Sequence, residues 1–117
     1  MRRKAGALVP LELAICAAAA ELRQAGVEEF HGYLIAKEIK QHADNRLLTA
    51  YGTLYRALGR LETMGLVSSR WEDAMVAAEE NRPRRRFYAL TAAGDEALTE
   101  AARAAAEAQA RKGWASA

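Results

Sequence analysis

Three side chains of this 117-residue chain have the chemistry of soft metal ligands or of a nucleophile with a base: Cys16, His31 and His42. Their spacing matches no zinc motif. The chain also has no nucleophile–base pairing and no glycine-rich phosphate loop of the kind a catalytic or nucleotide site requires. No enzyme activity, no metal and no cofactor are therefore expected. A single cysteine excludes an intramolecular disulfide framework and fits a reducing, cytoplasmic compartment. Cys16 reads as a small hydrophobe rather than a reactive thiol, and His42, on an apolar helix flank, as a structural residue. The chemistry present in quantity is that of arginine. Arg2, Arg3 and Lys4 open the chain, and Arg82, Arg84, Arg85 and Arg86 cluster in its last third, although the net charge is only +2. Phosphate binding depends on such local clusters more than on the total.

A second set of arginines lies on a stretch with both ends marked. Thr49 can cap the start of a helix with its hydroxyl, and Gly65 stands where a left-handed C-terminal cap is wanted. Tyr51, Leu54, Leu58 and Leu61 fall within about 80° of one another at the helical period, which makes them the expected buried stripe. Gly52, Thr53, Arg56, Arg60 and Thr63 share the outer face, which has no carboxylate. A helix lying in a DNA major groove needs such a face, since small residues permit close approach and arginine reads guanine or grips phosphate. An amphipathic helix with a solvated outer face has the same pattern.

The flanking elements decide what this helix is for. A first helix is expected from Val9 to Gln24, with Pro10 in its first turn and Gly26 just beyond its end. Leu8, Leu11, Ile15, Ala18 and Leu22 share one face. Leu13, Cys16, Ala17 and Ala20 share nearly the opposite one, with Glu12, Glu21 and Arg23 between. A helix apolar on two sides has to bury both, which points to a partner subunit. A second helix is expected from Phe30 to Ala43, with Leu34, Ile35, Ile39 and His42 on one side. Asp44-Asn45-Arg46 and an extended Leu47-Leu48 then lead to Thr49, which gives a helix-turn-helix order. After Gly65, Leu66 to Trp71 and Arg84 to Leu90 read as strands joined by a loop from Glu72 to Pro83. This hairpin, or wing, carries acids (Glu72, Asp73, Glu79, Glu80) and a basic base that can hold the DNA backbone. Alternatively, its arginines pair with those acids. Thr91 caps a last helix expected to reach Lys112 and to stop at Gly113. Eight of the fourteen residues from Ala97 to Ala110 are alanine, which favours helix and close helix–helix approach.

The N-terminal run Ala7 to Ala20 has some marks of a secretory signal, but Pro10 and Glu12 interrupt it early. No apolar run reaches the ~18–20 residues that span a membrane, so no membrane partner is expected.

Three stretches together carry a resemblance: Tyr51-Gly52-Thr53-Leu54-Tyr55-Arg56-Ala57-Leu58, then Leu61-Glu62-x-x-Gly65-Leu66-Val67, then Arg82-Pro83-x-Arg85-Arg86-x-Tyr88-x-Leu90-Thr91-x-x-Gly94. With Gly32-Tyr33 they resemble the PadR family of bacterial transcriptional regulators over about residues 8 to 100. The resemblance implies a mainly α fold with a small β wing, a winged helix-turn-helix over residues 1–90 and a dimerisation helix over 91–117. It implies a homodimer that represses by binding a palindromic operator in double-stranded DNA, relieved in some members by a small-molecule effector. Carried over, Thr49, Ala50, Tyr51, Thr53, Tyr55, Arg56 and Arg60 of the recognition helix lie at the DNA. Arg82, Arg84, Arg85 and Arg86 of the wing hold phosphate or minor groove. Leu13, Cys16, Ala17 and Ala20 of the first helix meet Leu98, Ala102 and Ala105 of the last across the dimer. Some drug-sensing relatives hold flat ligands between tryptophans on that last helix. Here its centre is alanine and Trp114 stands at its end, so an effector is expected only in a pore lined by small residues. The competing reading is a winged-helix protein-interaction module without specific DNA binding, which the low net charge and the acidic loop favour.

Overall fold

The computed structural model describes residues 8–42 and 51–116. Seven elements follow in order: α1 (Pro10–Gln24), α2 (Gly32–His42), α3 (Tyr51–Thr63), β1 (Val67–Trp71), α4 (Ala74–Glu79), β2 (Arg86–Leu90) and α5 (Ala92–Ser116). The architecture is the expected one, mainly helical with a two-stranded antiparallel wing.

Helix α1 is the centre of the core. Leu11, Ile15, Ala18 and Leu22 are buried as their shared face requires, and α1 packs against α2, α3 and α5. The opposite face departs from expectation at Cys16, which is fully buried within the single chain. Burial, with the charges of Glu12 and Asp95 adding to it, pushes the Cys16 thiol up to about 11. Glu12, expected at the boundary between faces, is fully buried. At the third position of α1 its Oε1 accepts the Val9 backbone N–H at 3.1 Å, satisfying one of the unpaired donors of a helix start.

Helix α2 starts two residues later than the pattern predicted. Phe30 is drawn off into an isolated β-bridge with Tyr88, N–H to O at 2.9 and 2.8 Å in the two directions. The two rings stack at 6.0 Å. From α2 the core receives Ile35, Ala36 and Ile39. The expected end at Ala43, the side chain of His42, the link from Asp44 to Leu48, and the cap residues Thr49 and Ala50 all lie outside the described residues.

In α3 the stripe is Leu54, Ala57, Leu58 and Leu61, each completely buried; fully burying a leucine contributes about 1.5–3 kcal/mol. Tyr51 does not belong to it, being 50% exposed. It is the first residue of α3, and Ala57 fills the stripe instead. Gly65 ends the helix with φ of 77°, a left-handed geometry that glycine adopts without strain.

In the wing, β1 pairs with β2 from Val67↔Leu90 to Trp71↔Arg86. The connection is not all loop. Asp73 accepts the Met75 N–H at 2.8 Å and so caps the short helix α4, whose Ala77 is buried. Thr91 caps α5 as expected, its Oγ1 accepting the Gly94 N–H at 3.1 Å. The helix passes through Gly113 to Ser116 rather than stopping at Lys112. Gly113 is not among the glycines with positive φ, and the alanine-rich run before it carries the helix across one glycine at a cost of about 1 kcal/mol. Arg103 pairs along the helix with Glu100 and Glu107. Among the described residues no helix is long and apolar enough to cross a membrane, and no cluster of ligating side chains could hold a metal.

Candidate nucleic-acid interface

The outward face of α3 presents Tyr51, Gly52, Thr53, Arg56, Arg60 and Thr63 to solvent, Thr53 being half-buried and the others exposed. Its two arginines differ in their surroundings. Arg56 folds back toward the helix start, where Nη2 donates to Thr53 Oγ1 at 3.3 Å. A side chain on Gly52 would meet Arg56 Nη1 at 3.5 Å, so the guanidinium rests over the first turn. Arg60 is tied to the interior: its Nε donates to Oε2 of the buried Glu12 at 2.8 Å. The predicted contact residue Arg60 therefore holds α3 onto α1.

Tyr55 turns toward α2. Its hydroxyl would lie 2.2 Å from a Cβ placed on Gly32, so only glycine lets the ring pack against the start of α2. His31 precedes that glycine, and its Nδ1 accepts the Leu34 N–H at 3.4 Å. An accepting Nδ1 places the proton of the neutral ring on Nε2. Burial, and then the nearby charges of Arg85 and Arg82, hold His31 below the usual histidine range.

The wing arginines also divide. Arg82 forks onto Glu72, Nη1 to Oε1 at 2.6 Å and Nη2 to Oε2 at 2.8 Å, and its Nε donates to Glu80 at 2.6 Å. Glu72 further accepts the Arg85 backbone N–H at 3.2 Å. These donors, with the Arg82 fork foremost, depress the Glu72 carboxyl to about 2. Arg84 Nε donates to the Glu72 carbonyl at 2.8 Å. Arg84 and Arg86 lie over the exposed Trp71 ring at 5.8 and 5.1 Å, and Arg86 also donates to Ser69 Oγ at 2.8 Å. The Arg85 guanidinium makes no hydrogen bond or ion pair among the described residues. Of the predicted wing contacts, Arg82 is thus a clasp that closes the wing. Arg84, Arg85 and Arg86 surround a cleft of about 540 Å³ between the wing root, Tyr55 and the start of α2.

Two participants lacked a local signal in the sequence. For Arg82 the alternative reading holds, since it pairs with Glu72 and Glu80 of the acidic loop, but nothing local marked Glu72 as the buried one of those acids. Trp71, expected only as a strand residue, forms the platform for two arginines.

Of the residues expected at a dimer contact, Leu13, Ala17 and Ala20 are half-buried in the single chain, Leu98 packs partly on the core, and Ala102 and Ala105 are exposed. Cys16 drops out of this set, since it is already buried by its own chain. Arg23 grips Asp95 through two bonds of 2.9 and 2.5 Å, fixing the start of α5 on the end of α1.

Three solved structures share this architecture. A PadR family transcription regulator from Clostridium difficile superposes with a TM-score of 0.69 at 20% identity, over 92% of this chain and 98% of that one. A transcriptional regulator from Clostridium thermocellum gives 0.66 at 21%, over 88% and 86%. A PadR family transcriptional regulator from Eggerthella lenta gives 0.63 at 25%, over 88% and 84%. None of the curated proteins matches the sequence. The family described as "Transcriptional regulator PadR-like family" matches residues 22–100, most of the chain and all of the α3 and wing motifs. The chain belongs to the PadR-like family of transcriptional regulators.

Proposed function

We propose that this protein is a sequence-specific DNA-binding repressor that acts as a homodimer on a palindromic operator in the cytoplasm. The observation that carries the reading is the exposure of Arg56 on α3 and of Arg84 and Arg85 at the wing root, with Thr53 and Arg86 half-buried next to them in the chain. In this reading Tyr51, Thr53 and Arg56 enter the major groove, and Thr49 and Ala50 also contact the DNA. Tyr55 and the wing arginines hold the backbone, which gives affinity that falls steeply with salt. Residues 1–90 form the DNA-binding unit, and residues 91–117 pair two chains through the alanine-rich face of α5 with Leu13, Ala17 and Ala20. The two recognition helices then stand about 34 Å apart, one helical turn of DNA. Any small-molecule effector acts by changing that separation from a pore between the subunits.

Fluorescence anisotropy with the promoter of the protein's own gene, beside a scrambled duplex and across a salt series, tests the reading. Binding tighter to the promoter by about 10³ or more supports it. The second reading, a winged-helix protein-interaction module, is favoured by the neutralisation of Arg60, Arg70 and Arg82 by carboxylates. Equal, weak binding to both duplexes would favour that module.

A further inference from the structure

The cleft at the wing root has a composition that neither the recognition face nor the core explains. Arginine side chains and the rings of His31, Tyr33, Tyr55 and Trp71 line it, and no carboxylate does. Of the acids beside it, Glu72 and Glu80 are both held by Arg82. Arg85 is the one arginine of the cleft whose guanidinium has no hydrogen-bonding or ion-pair partner among the described residues. Arg84 uses its Nε on a carbonyl, and Arg86 is shared between Ser69 and Glu62, the latter at 3.7 Å. Tyr33, Tyr55 and Trp71 remain 63%, 46% and 53% exposed around this charge. A pocket with N–H and O–H donors, uncommitted positive charge and no acid is complementary to an oxyanion.

The position of the cleft selects the oxyanion. Tyr55 adjoins Arg56 on α3, and Arg85 and Arg86 belong to the wing, so a DNA strand running from the α3 groove to the wing passes over it. We infer that the cleft is a phosphate seat, occupied by a backbone phosphate of that strand, with the Arg85 guanidinium as its direct cation and the His31 ring as a donor on the opposite wall. The inference rests on the DNA-binding reading for the occupant, though not for the seat.

One consequence separates this seat from general electrostatics. The groups around His31 are Arg85 and Arg82 from the wing, Glu72 beyond them, and the rings of Tyr33 and Phe87 at 6.4 and 6.2 Å. The two arginines oppose protonation of His31. A phosphate placed between them and the ring reverses that field, so His31 binds its proton more readily in the complex, and phosphate binding tightens as pH falls through the histidine range.

The experiment is an NMR pH titration of the two histidine rings in the full-length protein, with the H42Q variant assigning His31. It is run alone, with inorganic phosphate against sodium chloride at equal ionic strength, and with the scrambled duplex. A sequence-independent contact needs no operator, so this arm works even if specific recognition fails. With duplex, the His31 pKa is expected to rise by about one unit or more. The rise should vanish in R85A and return in R85K. In R85A the salt slope for scrambled DNA should also drop by about one. Duplex binding seen by anisotropy with His31 unmoved would overturn the seat and leave the DNA reading standing. A saturable response to inorganic phosphate that the duplex does not displace would overturn the strand as occupant, making free phosphate the ligand. No duplex binding together with a phosphate response removes the DNA reading and its strand but keeps the seat. Silence in both arms removes the seat as well.

Discussion

Arg56 and Arg60 stand one helical turn apart on the same face of α3, yet they do different physical work. Arg56 is exposed and, among the described residues, hydrogen-bonded only to Thr53, so its removal should act on DNA and not on the fold. R56A is expected to weaken the operator complex by about 1–3 kcal/mol while sparing scrambled DNA, read by anisotropy on both duplexes; equal loss on the two would exclude a base-reading role. Arg60 neutralises a carboxylate with no exposure at all. R60A removes the Nε donor from this buried carboxylate and should lower stability by about 1–3 kcal/mol in a urea titration. An R60A protein of unchanged urea midpoint would mean that the pair contributes nothing.

The wing is held as a unit by Glu72, which joins its two ends through Arg82 and the Arg85 backbone. The sign of its pH dependence follows from the direction of its shift. The carboxyl titrates near 4.5 when unperturbed and near 2 in the folded wing. The unfolded chain therefore binds the proton first on acidification. The stabilisation is complete above about pH 4.5 and is lost as pH falls through about 2. Melting curves of the wild type and E72Q between these limits check this: the wild type should lose more melting temperature than the variant across the window, and parallel curves would refute the assignment. α4 belongs to the same unit. Six residues are too few for periodicity to announce, and this helix exists because Asp73 caps it and Ala77 is buried.

At the scale of the whole molecule, α5 leaves its second half open, since beyond Ala101 nearly every described side chain is exposed. A helix of mostly alanine approaches another closely and offers little area per residue, so a charge placed in it should be decisive if two copies meet there. A105E is expected to convert a dimer to a monomer in sedimentation velocity and to weaken operator binding by orders of magnitude, with the melting of the monomeric core unchanged. A105E that sediments as a dimer would place the interface elsewhere. The net charge of +2 understates the binding surface, because Arg60, Arg70 and Arg82 are neutralised internally while Arg84, Arg85 and Arg86 gather at one cleft.

Much of this was readable from residue order alone. The extents of α1 and α3 and the places of both strands follow from period and glycine positions, because each depends on neighbours within a few residues, although β2 starts at Arg86 rather than at Arg84. The family followed from the ordered motifs around Tyr51 to Gly65 and Arg82 to Gly94 for the same reason. What only tertiary packing decided is which charges remain available. Arg60 and Glu12 lie 48 positions apart, and Arg23 and Asp95 lie 72 apart. No local pattern distinguishes Arg60 from Arg56, or Arg82 from Arg85. The same holds for Cys16, whose apolar face suggested a partner subunit until its own chain covered it. Helical period fixes the direction in which a side chain points, whereas its partner depends on which distant element the fold brings there.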